Sequence, residues 1–145
     1  MKLTITGYST ALFSTWYFIE ELGLLFDAGD GITASLLQKA RKINHAFISH
    51  ADRDHLTGLL QFNQLNARPD APKIYYPSNS GSFPAMAEFA KKFDPHVSGT
   101  LWQGINGEEH IGIKEGHYVQ AMRNNHVKAA PDVFKSLSYK VYQLK

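Results

Sequence analysis

At 145 residues, with 15 Lys and Arg against 13 Asp and Glu and no cysteine, the chain is the size of one ordinary domain and carries a formal charge of +2. This excludes a disulfide scaffold, thiolate zinc sites, a cysteine nucleophile and nucleic-acid recognition by net charge alone. Hydrophobic residues at 43% and charged residues at 19% exclude disorder, and no apolar run is long enough to span a bilayer. The expectation is one unit over 1–145, cytoplasmic, with no export signal and no membrane partner.

Alternation over 2–6 predicts a strand with one wet face, and the aromatic stretch 14–20, with Trp16, Tyr17 and Phe18, predicts a second strand rather than a stacking platform for bases. Leu24, Leu25 and Phe26 form a compact apolar run that reads as a buried strand ending at Asp27. After a turn over 28–31, Ile32, Leu36, Leu37 and Ala40 share a helical face, with Arg41 and Lys42 in the last turn. A strand over 43–49 then leads into a polar knot at 50–55 and a helix with Leu56, Leu59, Leu60 and Leu65 inward. Residues 73–76 predict a strand, and Met86, Phe89, Ala90 and Phe93 mark the inner face of a helix closed by Asp94 and Pro95. Strands over 100–103, 109–113, 117–123 and 136–144 complete an α/β chain whose second part is mostly β.

The chemistry concentrates in the knot His50, Ala51, Asp52, Arg53, Asp54, His55, where four ionisable side chains that bind metals follow an apolar strand within six positions. A strand end is a rigid mount, and zinc accepts imidazole nitrogen and carboxylate oxygen at closely similar distances. The bland alternative is a solvated loop whose Asp residues cap the next helix. Only Arg53 stands nearby to neutralise the acidic pair, while two imidazoles flank it, so a divalent cation resolves the arrangement better than capping does. His45, His96, His110 and His117 read as structural. No Walker lysine follows the glycines of 27–31, and no G-x-S-x-G elbow occurs.

The segments Leu24-Leu25-Phe26-Asp27-Ala28-Gly29-Asp30-Gly31 and Ile48-Ser49-His50-Ala51-Asp52-Arg53-Asp54-His55-Leu56-Thr57-Gly58-Leu59 together resemble the metallo-β-lactamase fold hydrolases, most closely the ribonuclease Z branch. His126, between two predicted strands, resembles the lone His of the family's third element. The resemblance implies half of a four-layered αββα sandwich. It implies His50 and His126 on a first metal, Asp54 and His55 on a second, and Asp27 supporting the site from behind. Asp52 stands where the family usually has a second His, and its carboxylate favours Mn²⁺ or Fe²⁺ over the zinc that the family otherwise implies.

The implied reaction is hydrolysis by a metal-bound hydroxide on one or two divalent ions, with Asp54 both ligand and proton acceptor and an RNA or small phosphodiester as substrate. The alternatives are a small-molecule ester, lactone or cyclic-nucleotide hydrolase of the same fold, and a noncatalytic metal-binding or interaction module. The family completes its site with a bridging Asp and a final His from a second half, whereas no His follows His126 here. The expectation is therefore a chain incomplete at its C-terminus, as a fragment or a natural half-domain, poorly active alone and prone to form homo-oligomers.

Overall fold

The computed structural model describes residues 2–144. Six strands, β1 (Ile5–Thr10), β2 (Ser14–Ile19), β3 (Leu24–Phe26), β4 (His45–Phe47), β5 (Lys73–Pro77) and β6 (Leu101–Ile105), lie in that order in one sheet. The first three pair antiparallel and the rest parallel. A second, antiparallel sheet holds β7 (His110–Gly112), β8 (His117–Arg123) and β9 (Leu137–Gln143). Each parallel connection crosses over through helical segments: α1 (Ile32–Leu36) with a tight 3-10 turn behind it, α2 (Arg53–Leu56) with α3 (Leu59–Asn66), and α4 (Ser82–Phe93).

Alternation along the strands sorts the apolar side chains into two cores. Leu25, Ala46 and Ile48 face the helices, where Ile32, Leu59, Phe62 and Phe83 cover them. Leu24 and Phe47 face the second sheet and meet Val119, Ala121 and Leu137. The layers are therefore helices, large sheet and small sheet, a mixed α/β arrangement. The parallel strands are buried on both faces, which is why Leu24-Leu25-Phe26 and Ala46-Phe47-Ile48 are continuous apolar runs. Trp16 and Phe18 are buried while Tyr17 between them is 42% exposed, an alternating strand core. Among the described residues no helix is long and apolar enough to cross a membrane.

Several sequence expectations shift. The first strand runs three residues later than predicted and is exposed along its whole length, because β1 is the sheet edge and neither core reaches it. The helix predicted over 32–42 breaks after Leu36: Leu37 adopts φ 51° and points outward, 71% exposed. The helix after the knot splits at Thr57 and Gly58, where the Gly58 amide donates to the Ala28 carbonyl at 2.8 Å. Restarting at Leu59 puts Leu59, Phe62, Asn63 and Asn66 inward at i, i+3, i+4 and i+7, which turns Leu65 out. In α4, Phe83, Ala87 and Ala90 form the buried stripe, Met86 packs against it, and Phe89 lies 54% exposed. The Phe93 side chain lies outside the described residues.

Candidate metal centre

The end of β3, the end of β4 and the start of α2 are knitted together by backbone. Asp27 takes a left-handed φ of 60°, which Asp tolerates, and its amide donates to the Phe47 carbonyl at 2.8 Å. The Ala28 amide donates to the His55 carbonyl at 2.8 Å. Gly29 and Gly58 make the approach feasible: a Cβ on Gly58 would lie 2.3 Å from the Gly29 carbonyl oxygen, and one on Gly29 would lie 2.5 Å from that of Asp54. The glycines that punctuate the two sequence segments thus serve a backbone contact between them.

This frame aims the Asp27 carboxylate at Ser49 and His55. Its Oδ1 accepts from the Ser49 amide at 2.7 Å, and its Oδ2 lies 2.8 Å from His55 Nδ1. The Ser49 hydroxyl lies 2.9 Å from Asp27 Oδ2 and 2.9 Å from His50 Nδ1. A carboxylate only accepts, so the single hydroxyl proton goes to Asp27, and the Ser49 oxygen accepts from His50 Nδ1–H. His55 Nδ1 donates to Asp27 for the same reason. Asp27 therefore fixes the tautomer of His55 directly and that of His50 through Ser49, presenting both Nε2 atoms away from the frame.

Each Nε2 meets a carboxylate. His50 Nε2 stands 3.0 Å from Asp52 Oδ2, and His55 Nε2 stands 3.4 Å from Asp54 Oδ2. Asp52 occupies the N-cap position of α2, yet its side chain makes no capping bond. His126 joins from the far loop, its ring 4.4 Å from that of His50, and His50 and His55 are 4.2 Å apart. One ligand atom each of His50, Asp52 and His126 lies within 4.8 Å of the others, with His50 buried and the other two exposed. A lone-pair nitrogen facing a carboxylate oxygen requires a proton or a cation between them. Two donors of one tetrahedral ion with bonds of about 2.0–2.2 Å lie about 3.3–3.6 Å apart, so these separations suit a divalent ion after small adjustment.

The electrostatics divide the two histidines. Burial, and then the charge on His55, pushes His50 below the usual histidine range. The hydrogen bond to Asp27 pulls His55 upward against its burial.

The sequence reading brought out His50, Asp52, Asp54, His55, His126 and Asp27, and all six converge on the C-terminal end of the large sheet. It missed Ser49, Asn124 and Tyr139. Asn124 Oδ1 accepts from the His126 amide at 3.0 Å and the Ser136 hydroxyl at 2.5 Å, while its Nδ2 donates to Ser138 Oγ at 2.8 Å, fixing the His126 loop to β9. Tyr139 donates to the Ile48 carbonyl at 2.7 Å, and the Leu137 amide donates to that of Ser49 at 2.9 Å, so β9 is seated on the exit of β4. Burial and the Asp27 charge raise Tyr139 well above the usual tyrosine range, keeping its proton in place. The Asn124 contact is foreshadowed only by an Asn two positions before a His; nothing local marks Ser49 or Tyr139. A pocket of about 350 Å³ opens beside the cluster, lined by Phe26, Ser49, His50, Asn124, His126 and Tyr139.

No family model and no curated relative matches the chain. Solved structures do. The chain is similar to human tRNase Z, short form, with 18% identity and a TM-score of 0.66, covering 96% of this chain and 64% of that one. It is similar to the metallo-β-lactamase fold protein YhfI from Bacillus subtilis, with 13% identity and a TM-score of 0.65, covering 98% and 59%. It is also similar to Zn²⁺-bound PqqB from Methylobacterium extorquens, with 15% identity and a TM-score of 0.63, covering 90% and 50%. The chain thus spans from half to under two thirds of the length of these structures. The likeness shows the fold: this chain is built on the metallo-β-lactamase fold.

Proposed function

We propose that the chain is the metal-binding part of a metal-dependent hydrolase whose substrate is a phosphodiester, in the manner of a ribonuclease Z. The observation that carries this is the convergence of His50, Asp52 and His126, joined across 76 positions (126 − 50), on a point that Asp27 and Ser49 furnish with outward-facing imidazole nitrogens. His50, Asp52 and His126 hold a first divalent ion, and Asp54 with His55 hold a second. Such ions supply Lewis acidity to the scissile group and acidify water. Asp54, half-buried beside His55 Nε2, accepts the proton of the attacking water. His126 and Asp52, both exposed, leave the ions open toward substrate.

Asp52 sets the metal preference. An anionic oxygen donor in place of an imidazole tilts the site from Zn²⁺ toward Mn²⁺ or Fe²⁺. Among the side chains of the cluster, Asp54 and His55 are the two left for the second ion.

The test is titration of Zn²⁺, Mn²⁺ and Fe²⁺ into metal-stripped protein against a chromogenic chelator, followed by hydrolysis of bis(p-nitrophenyl) phosphate and a short RNA. Saturable binding that His50→Ala and His126→Ala both abolish, with turnover lost in Asp54→Ala while the first metal is retained, is the expected result. Binding indifferent to His126→Ala removes that residue from the centre. Turnover of carboxylic esters but not of either phosphodiester shifts the substrate class.

A further inference from the structure

The large sheet is open at β1, its first strand, where all six residues are exposed. On the inner side the Glu20 amide donates to the Thr4 carbonyl at 3.1 Å and the Phe13 amide to the Thr10 carbonyl at 3.0 Å, so the even-numbered residues turn their backbone groups inward. Antiparallel ladders alternate, and the amides and carbonyls of Ile5, Gly7 and Ser9 therefore point out of the sheet with no strand to receive them.

Folded proteins blunt such an edge with charge, proline, a bulge or a covering element. The small sheet follows that rule: β9 carries Lys140 at its centre, and the three residues of β7 stand between Glu109 on one side and Lys114 and Glu115 on the other. β1 does not, because from Leu3 to Ile19 the chain has no charged residue and no proline. The same hairpin gathers exposed apolar side chains. Ile5, Tyr8 and Tyr17 lie along it, and its tip presents Phe13 and Leu12, the latter at φ 74° and 87% exposed. The Tyr17 ring leans over Gly7 toward the open edge, since a Cβ on Gly7 would lie 2.3 Å from Tyr17 Cδ1.

We infer that β1 pairs antiparallel with β1 of a second copy, joining the two large sheets into one continuous sheet across a two-fold axis normal to it. Three observations select a second copy as the occupant. The edge is neutral, so it calls for no partner of opposite charge, and two such edges meet without repulsion. It is also self-complementary. A two-fold axis normal to the sheet keeps each face on its own side and passes through a residue; centred on Tyr8, it sets Tyr8 against Tyr8 and Thr6 against Thr10, the aromatic and threonine pairs that stabilise antiparallel ladders. Centring on Gly7 faces glycine with glycine and Tyr8 with Thr6. Finally, the area suffices: covering the five apolar side chains removes on the order of 700 Å² per copy, close to the roughly 800 Å² that a standard interface buries on each partner. Two strands separate β1 from β4, so the pairing is independent of the hydrolase reading.

Sedimentation equilibrium of the chain over a concentration series reaching the submillimolar range is expected to show a dimer. Tyr8→Lys and Tyr8→Glu each set like charges across the axis and raise the dimer Kd at least about tenfold, while an equal mixture of the two re-forms dimers. The re-formed dimer shows at the same time that both variants fold. The chain has no cysteine, so Tyr8→Cys supplies a single thiol whose mate faces it across the axis, within the Cα separation of about 4.4–6.8 Å that a disulfide spans. Mild oxidation then links Tyr8→Cys into covalent dimers faster than Ser9→Cys, which faces the second copy's Gly7, and faster than Leu37→Cys on the helical side. This measurement stands even where the charged variants fail to fold. A monomer throughout the series, a dimer untouched by Tyr8→Lys in folded protein, or linking of Leu37→Cys as fast as that of Tyr8→Cys overturns the inference.

Discussion

The two loops that build the candidate centre are held by different means. The β3 and β4 exits are bound by backbone pairs at Asp27, Ala28 and Gly58 and by one carboxylate that serves Ser49 and His55 together. The loop over 124–136 carries exposed His126 and hangs mainly on side chains: Arg123 donates to Asn125 Oδ1 and to the Ala129, Ala130 and Val133 carbonyls, while Asn124 and Asn79 accept from the His126 and Phe134 amides. The first arrangement positions its histidines before any cation arrives. The second leaves one ligand on a tether that a few side-chain bonds restrain, so preorganisation is concentrated on one wall of the site.

Asp27→Ala strikes the preorganised wall hardest. It strips the Ser49 amide and the His55 ring of their acceptor, and we expect loss of about 2–4 kcal/mol of stability together with a fall in metal affinity of at least about a hundredfold. Denaturant titration and chelator competition measure the two separately, and an unchanged affinity in a folded variant would show that the tautomers are set elsewhere.

Gly58→Ala comes next. Its Cβ meets backbone oxygen at 2.3 Å, so either α2 or the 27–31 turn must move, at a cost of about 1–3 kcal/mol. Metal affinity falls with it, since Asp27 and His55 lie on the two sides of that contact. A neutral outcome in thermal melts refutes the close approach.

On the tethered wall the effect is smaller. Asn124→Ala frees His126 and is expected to weaken the first metal about tenfold with a stability loss of about 1 kcal/mol. Because the loop alone is affected, ¹⁵N signals of His55 should stay in place while those of His126 broaden. Equal perturbation of both rings would abolish the distinction between the walls.

A pH series completes the comparison away from the site. At the start of β4, His45 stacks on Tyr75 with rings 6.3 Å apart, its Nδ1 is buried without a partner, and burial aided by Lys73 lowers its pKa to about 4. The unfolded chain takes up this proton near pH 6.5 and the folded chain only near 4, so the stabilising effect is complete above about 6.5 and lost as pH falls toward 4. We expect His45→Phe to flatten the stability profile in that window by on the order of 2 kcal/mol, with no change in metal affinity at neutral pH. A parallel profile in the variant assigns the acid sensitivity to another group.

Local sequence determined the strand-end mounts. Continuous apolar runs such as Leu24-Leu25-Phe26 have to be buried on both faces, and a polar knot after such a run emerges where the strand ends, so Asp27 and the 50–55 cluster were legible together. Periodicity also located the strands of the small sheet, although not which faces meet. Long-range contacts decided the remainder. Leu37 and Leu65 fit a helical stripe on paper, but the Gly58 contact with Ala28 broke the helix after the knot and reset the inward face of α3. Ser49 became a proton-ordering link only because Asp27, 22 positions earlier, lies beside it. His126 reached His50 because Tyr139 and Leu137 seat β9 on the end of β4, a pairing between residues up to 91 positions apart. Periodicity reports which face of an element is buried; it carries no information about which distant element does the burying, and that choice assembled the site.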